Sequence, residues 1–240
     1  MLDLNGKVAL VTGGTKGIGF AVAQGLAASG AAVAFCARTE ADVEAAQEGL
    51  SASHPGRTVG VVCDVRDPDA CAGLVAETVK EFGGLDVLVN NAGLGIFRPI
   101  QELTVEEFQV QIETNLGGVF YCSKAAIPHL SGGAGGWIIN IGSLAGRNTF
   151  PRGTAYNASK FGLRGLSEAM MLDLRYDNVR VSTIMPGSVH TEFGGNVMAA
   201  EGAWKLQGED VARAVLNLLA YPENALPSKI EMRPSQPPRG

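Results

Sequence analysis

The apolar residues of this chain come in short unbroken runs, and no other feature constrains its fold as much. Lys7–Thr12 (KVALVT), Val33–Cys36 (VAFC), Val59–Cys63 (VGVVC), Val87–Val89 (VLV), Trp137–Ile141 (WIINI) and Val179–Ile184 (VRVSTI) are each of strand length. A strand with one wet face alternates apolar and polar residues, whereas a continuous run needs cover on both faces, as in a parallel sheet. Ile230–Met232 reads as a short seventh strand. Longer segments between the runs carry helix start signals. Thr104 with Glu107 makes a capping box, Thr39 with Asp42 resembles one, and Asp67-Pro68 sets a cap before a proline at the first helical position. Strand–helix alternation along all 240 residues predicts one doubly wound α/β domain, about seven mostly parallel strands with helices on both faces. The stretch 221–240 holds five of the eleven prolines and is expected to be an extended tail without regular helix.

The first run leads directly into Thr12-Gly13-Gly14-Thr15-Lys16-Gly17-Ile18-Gly19, and an alanine-rich helical segment follows. A glycine turn between strand and helix lets backbone N–H groups approach a pyrophosphate, and the helix N-terminus adds favourable partial charge. This context predicts a Rossmann-like dinucleotide site. The second run ends Cys36-Ala37-Arg38-Thr39, with no acid where one would accept hydrogen bonds from a ribose 2′-hydroxyl. Arg38 can bind a 2′-phosphate in a charge-assisted way, and Lys16 supplies a second cation, so the expected cofactor is NADP(H).

Tyr156-Asn157-Ala158-Ser159-Lys160 places a phenol and an ammonium one helical turn apart, on one face. Carbonyl reduction needs a proton donor and alcohol oxidation a base. A free phenol titrates near ~10, and a neighbouring cation is expected to lower that value. Ser143, just after the Trp137–Ile141 run, can polarise a substrate oxygen.

With these residues in view, the chain resembles the short-chain dehydrogenase/reductase family, and its NADP(H)-preferring carbonyl reductases in particular. The T-G-x-x-x-G-I-G turn, Asn90-Asn91-Ala92-Gly93, Pro186-Gly187-Ser188-Val189-His190-Thr191 and Tyr-x-x-x-Lys occur in the family's order and spacing. The resemblance implies a catalytic set of Asn115, Ser143, Tyr156 and Lys160, with Asn115 holding a water in a proton relay from Lys160. It implies a cofactor set of Gly13, Thr15, Lys16, Gly17, Ile18, Gly19, Arg38, Thr39, Asp64, Val65, Asn91, Ala92, Gly93, Tyr156, Lys160, Pro186, Gly187, Val189 and Thr191, with Asp64 touching the adenine. The implied reaction moves a hydride between NADP(H) and a carbonyl or alcohol. It also implies a homodimer or homotetramer through the long helices around 101–130 and 154–176.

Substrate contacts in this fold belong to loops beyond the strand ends. Leu94, Phe97, Leu144, Phe150, Phe193, Val197, Met198 and Trp204 are the candidates, and Gly194-Gly195 suggests a mobile lid over about 187–207. Arg147 and Arg152 could meet an anionic substrate, although loop arginines are usually solvated. One family branch reduces 3-oxoacyl groups on an acidic carrier protein and presents arginines on its long helices. Pro128 and Leu172 stand at those places here, and the Ser228–Pro238 ending departs from that branch. A non-catalytic dinucleotide-sensing regulator would be expected to lose part of the Ser/Tyr/Lys set, which this chain keeps.

Composition narrows the partners. Net charge is −5, the pI is about 5.3, and the basic residues are scattered, so a nucleic-acid partner is not expected. No apolar stretch approaches the ~18 residues of a membrane span, and the first residues lack the pattern of a secretory signal. Cys36, Cys63, Cys71 and Cys122 lack C-x-x-C spacing and read as buried thiols in a reducing cytoplasm. His54, His129 and His190 lie far apart, so no metal site is expected.

Overall fold

The computed structural model describes residues 2–131, 135–195 and 200–238. Seven strands form one parallel sheet: β1 (Val8–Thr12), β2 (Ala32–Ala37), β3 (Thr58–Val62), β4 (Val87–Asn90), β5 (Gly136–Ile141), β6 (Val179–Pro186) and β7 (Lys229–Met232). Their order is β3-β2-β1-β4-β5-β6-β7. The winding reverses between β1 and β4, which opens a crevice above their C-terminal ends.

The unbroken runs are explained by burial on both faces. Along β1 every residue is buried: Ala9 and Val11 enter one core, Val8 and Leu10 the other. The first core gathers Leu26 of α1 (Gly17–Ala28), Leu50 of α2 (Glu40–Ser53) and Val215 of α7 (Gly208–Leu219). The second gathers Leu74 of α3 (Pro68–Phe82), Leu130 of α5 (Gly118–Leu130) and Leu174 of α6 (Thr154–Leu174). β7 is different. Like β3 it is a sheet edge, but only Ile230 and Met232 are partly buried, and its pattern alternates. All four cysteines are free and buried.

The helix starts are decided by individual bonds. Asp67 accepts from the N–H groups of Asp69 and Ala70, and the Thr104–Glu107 box forms at the head of α4 (Val105–Ile112). The expected Thr39–Asp42 box does not form. Thr39 makes no side-chain cap bond, and the Asp42 carboxylate, which would complete the box, turns to the Lys16 ammonium 3.0 Å away. The helix expected over 101–130 starts only at Val105 and is broken by a π-helical turn at Glu113–Gly117. The stretch 221–238 carries β7 and no helix among its described residues. No helix of the described residues is long and apolar enough to cross a membrane.

Candidate active site

Above the crevice the backbone of the glycine turn is packed too closely for side chains. A Cβ on Gly19 would fall 2.1 Å from the Gly13 carbonyl oxygen, and Gly13 itself has φ +63°. Two residues fasten this turn to the end of β4. Thr12 Oγ1 accepts from the N–H groups of Asn91 and Ala92, each at 3.0 Å, and Asn91 Nδ2 donates to the carbonyls of Thr12 and Gly13. α1 begins at Gly17 with no side-chain cap and no acid in its first turn. With no acid in that turn, its N-terminal N–H groups present the setting that suits a pyrophosphate. The residues present fit a dinucleotide.

Around this cradle the other expected cofactor residues are placed as follows. Arg38 and Thr39 are exposed at the end of β2. The Asp64 carboxylate is clasped by the Arg66 guanidinium, which holds its pKa below the usual carboxylate range, and the Arg38 charge acts in the same direction. Arg66 escaped the sequence reading because its only signal is its place two residues after Asp64. Lys16 is engaged with Asp42 rather than standing free beside Arg38. A Cβ on Gly17 would lie 3.0 Å from the Thr191 methyl, so the segment after β6 closes over the glycine turn. That segment is pinned by a bridge between Val189 and Leu206, with the His190 N–H donating to the Leu206 carbonyl at 2.8 Å.

Tyr156 and Lys160 lie one turn apart on α6, and both are buried against the C-terminal end of β5. Lys160 Nζ donates to the Ile141 carbonyl at 3.0 Å, and burial lowers its pKa to about 8. The expected lowering of the Tyr156 phenol by this cation is not found. Burial of Tyr156 pushes its pKa up, and a hydrogen bond from Ser143 opposes that only in part. The ammonium lies 5.9 Å from the phenol's ring centre and is committed to the main chain of β5. Ser143 Oγ also accepts from the Ala145 N–H at 3.1 Å.

Asn115 sits fully buried in the π-helical turn. Its amide donates to the Leu94 carbonyl and to Ser159 Oγ, and its Oδ1 accepts from the Leu94 N–H at 2.8 Å. The side chain thus staples the loop after β4 to α6. A Cβ on Gly93 would meet Asn115 Oδ1 at 3.1 Å and Lys160 Nζ at 3.8 Å, so Gly93 lies between them. Asn157, passed over in the sequence, donates to the carbonyls of Ala145 and Asn148 and so holds the loop that carries Ser143.

Three expected pocket residues ring the phenol. The rings of Phe97, Phe193 and Phe150 are centred 5.4, 5.6 and 6.4 Å from that of Tyr156. Leu94 is half-buried beside Asn115, and Leu144 reaches to within 3.1 Å of where a Gly187 Cβ would stand. Trp204 does not join them. It lines a separate cleft of about 640 Å³ between α7 and the tail, with Arg213, Met232 and Pro234, because the Val189–Leu206 bridge holds the chain there against the α7 side. Val197 and Met198 lie outside the described residues. Arg147 pairs with Glu231 at 2.6 Å, and Arg152 donates to the Phe97 carbonyl at 3.3 Å.

A model of the short chain dehydrogenase family matches residues 7–202. The chain belongs to the short-chain dehydrogenase family. Within it, the chain is 37% identical over 220 residues to a trans-4-hydroxycyclohexanecarboxylate dehydrogenase of Sinomonas cyclohexanicum, covering 90% of this chain and 85% of the relative. It is 36% identical over 191 residues to a 3alpha-hydroxysteroid dehydrogenase of Mediterraneibacter gnavus, covering 79% of this chain and 76% of the relative. In structure it resembles an alcohol dehydrogenase from the archaeon Thermococcus sibiricus complexed with 5-hydroxy-NADP. That match has a TM-score of 0.89 and 31% identity, and covers 98% of this chain and 99% of the other. A metagenomic short-chain oxidoreductase in complex with NADP matches with a TM-score of 0.84 and 35% identity, covering 97% and 99%. The chain is therefore a short-chain oxidoreductase of the kind that acts on CH–OH and C=O groups and binds a nicotinamide cofactor.

Proposed function

We propose that this short-chain dehydrogenase is an NADP(H)-dependent carbonyl reductase and alcohol dehydrogenase in which Tyr156 is the proton donor and acceptor. The observation that carries this reading is the convergence of Ser143, Tyr156 and Lys160 at the end of β5, next to an open glycine cradle. Gly13 to Gly19, Asn91 to Gly93 and the 186–191 segment would hold the dinucleotide. Its nicotinamide supplies or takes up the hydride. Ser143 fixes the substrate oxygen and donates to it as charge develops. Tyr156 gives that oxygen a proton in reduction and removes it in oxidation. Lys160 links the site to the β5 main chain, and Asn115 holds the loop that shapes its floor.

The preference for NADP(H) rests on the exposed Arg38 at the end of β2, on Ala37 where an acid would repel a 2′-phosphate, and on two structural relatives that are complexed with NADP or its 5-hydroxy derivative. The test is the Tyr156→Phe variant, assayed by loss of reduced-nicotinamide absorbance with a panel of aldehydes and ketones. Turnover is expected to fall at least ~10²-fold, with cofactor affinity nearly intact. Turnover within a few-fold of wild type would overturn the assignment.

A further inference from the structure

The four cysteines of the chain come from four separate places and meet in the second core. Cys36 lies in β2, Cys63 just after β3, Cys71 near the start of α3 and Cys122 in α5. All four are free, and their thiols run in a line. Cys122 Sγ donates to Cys71 Sγ at 3.4 Å, Cys71 also bonds to Cys63, and Cys63 to Cys36.

Cys63 differs from the other three. They are fully buried, whereas Cys63 keeps 4% exposure at the end of β3, between the exposed Val62 and the half-buried Asp64. It is also the thiol that its neighbours favour as an anion. Hydrogen bonding from Cys36, and then from Cys71, holds its pKa below the usual thiol range. The Cys36 thiol, bonded to Cys63 and buried, titrates above that range, and so does Cys71, bonded to Cys122 and Cys63. The thiolate is the form that peroxides oxidise, so reactivity gathers on Cys63.

Cys63 and Cys71 bracket a short turned segment. The Asp67 N–H donates to the Asp64 carbonyl, and the Cys71 N–H to the Asp67 carbonyl, each at 3.0 Å. Cys71 Sγ donates to the Val65 carbonyl at 3.3 Å, so the sulfur that meets Cys63 also holds the main chain beside Asp64. That carbonyl is enclosed: a Cβ on Gly118 of α5 would fall 3.0 Å from its oxygen.

We propose that Cys63 and Cys71 are an oxidation site, in which a hydroperoxide oxidises Cys63, Cys71 resolves it to a disulfide, and the bridge disturbs the 64–67 turn at the cofactor crevice. The Cys63 thiolate attacks the peroxide, the O–O bond breaks, and a sulfenic acid forms with release of an alcohol or water. The Cys71 sulfur then attacks the Cys63 sulfur. The S–S bond forms, the S–O bond breaks, and hydroxide leaves as water with the Cys71 proton. Two thiols have given two electrons to one peroxide. The bridge needs the sulfurs at about 2.05 Å and removes the S–H that the Val65 carbonyl accepts. The link to the cofactor rests on the dinucleotide site proposed above, and the oxidation does not.

The experiment treats the protein, free of nucleotide, with hydrogen peroxide, alkylates the remaining thiols in denaturant and digests with trypsin. Arg66 lies between the two cysteines, so a bridge leaves two tryptic peptides joined for mass spectrometry. The expected product joins Cys63 to Cys71 and leaves Cys36 and Cys122 alkylated. NADPH affinity, read by nucleotide fluorescence, should weaken roughly 3- to 10-fold, the scale of one lost hydrogen bond, and dithiothreitol should restore it. Cys71→Ala should stop at a sulfenic acid on Cys63 that dimedone labels, and Cys63→Ala should give neither product. Wild-type mapping decides the case by itself should either variant fold poorly. No disulfide, a bridge through Cys36 or Cys122, or unchanged NADPH affinity in the bridged protein would overturn the proposal. Reduced protein that binds neither NADPH nor NADH would overturn the dinucleotide reading and the link to it, while a mapped Cys63–Cys71 bridge would still establish the oxidation site.

Discussion

Lys160 holds a buried ammonium that donates to the Ile141 carbonyl, and its burial affects how the protein responds to pH. Its pKa of about 8 in the fold lies below the value of about 10.4 in an unfolded chain. Between those values the unfolded chain binds more protons, so this residue's contribution makes the fold more stable as pH rises from about 8 towards 10. Below that window both states are charged and the burial cost is borne in full. At ~1.4 kcal/mol per unit the change is on the order of 1–3 kcal/mol. Tyr156, with its pKa raised, acts with the opposite sign but only above about 10, where unfolded phenols ionise. Urea unfolding of wild type and Lys160→Met at pH about 7.5 and about 9.5 isolates the effect. The wild type should gain on the variant at the lower proton concentration, and parallel profiles would show that the ammonium is not buried as described.

The adenosine end gives a second prediction at the residue scale. Ala37→Asp combined with Arg38→Ser should remove attraction for a 2′-phosphate and add repulsion, worth roughly 10- to 100-fold in kcat/KM with NADPH. Activity with NADH should hold or rise. Arg38→Ala alone adds no repelling acid, so it is expected to shift the preference less than the double change. A wild type that already prefers NADH would overturn the cofactor reading. The Lys16–Asp42 pair was invisible in the sequence because Asp42 reads equally well as a helix-start acid, and only the folded chain shows which cation or N–H it meets.

At the scale of elements, the five inner strands were legible because burial on both faces removes alternation, as β1 shows residue by residue, while the edge strand β3 was legible from its apolar run although only Thr58 in it is buried. β7 was legible only as a fragment, since an edge strand with Lys229 and Glu231 facing outward carries little apolar signal. The π-helical turn at Glu113–Gly117 could not be read at all, because one extra residue in a helical turn leaves no mark on composition. Yet that turn is what buries Asn115 and aims its amide at Leu94. The two expected caps make a direct comparison. Asp67→Ala removes a side chain that accepts from two N–H groups and should cost ~1 kcal/mol in urea unfolding. Thr39→Ala removes no cap bond and should cost only a few tenths. Equal costs would contradict the cap assignments.

At the scale of the whole molecule, some of the apolar residues left on the surface lie on α5 and α6. Phe120 of α5 and Phe161 and Leu172 of α6 are 44%, 41% and 56% exposed, on the two helices that cover the second core. The homodimer or homotetramer that the family resemblance implies would bury this face. Sedimentation should show a dimer or tetramer for the wild type, and Phe120→Glu with Phe161→Glu should yield monomers. A monomeric wild type would contradict the inference. The sheet order, both cores and the convergence of Ser143, Tyr156 and Lys160 serve one central claim, that this chain moves a hydride between a nicotinamide and a carbonyl carbon while Tyr156 manages the proton. The measurement that tests it most directly uses NADPH deuterated at the reactive ring carbon, with cyclohexanone, and reads the product alcohol by mass spectrometry. The account predicts one deuterium on the carbinol carbon with wild type and almost none in the same time with Tyr156→Phe. Consumption of the reduced cofactor without deuterium in the alcohol, or equal labelling by the variant, would contradict it.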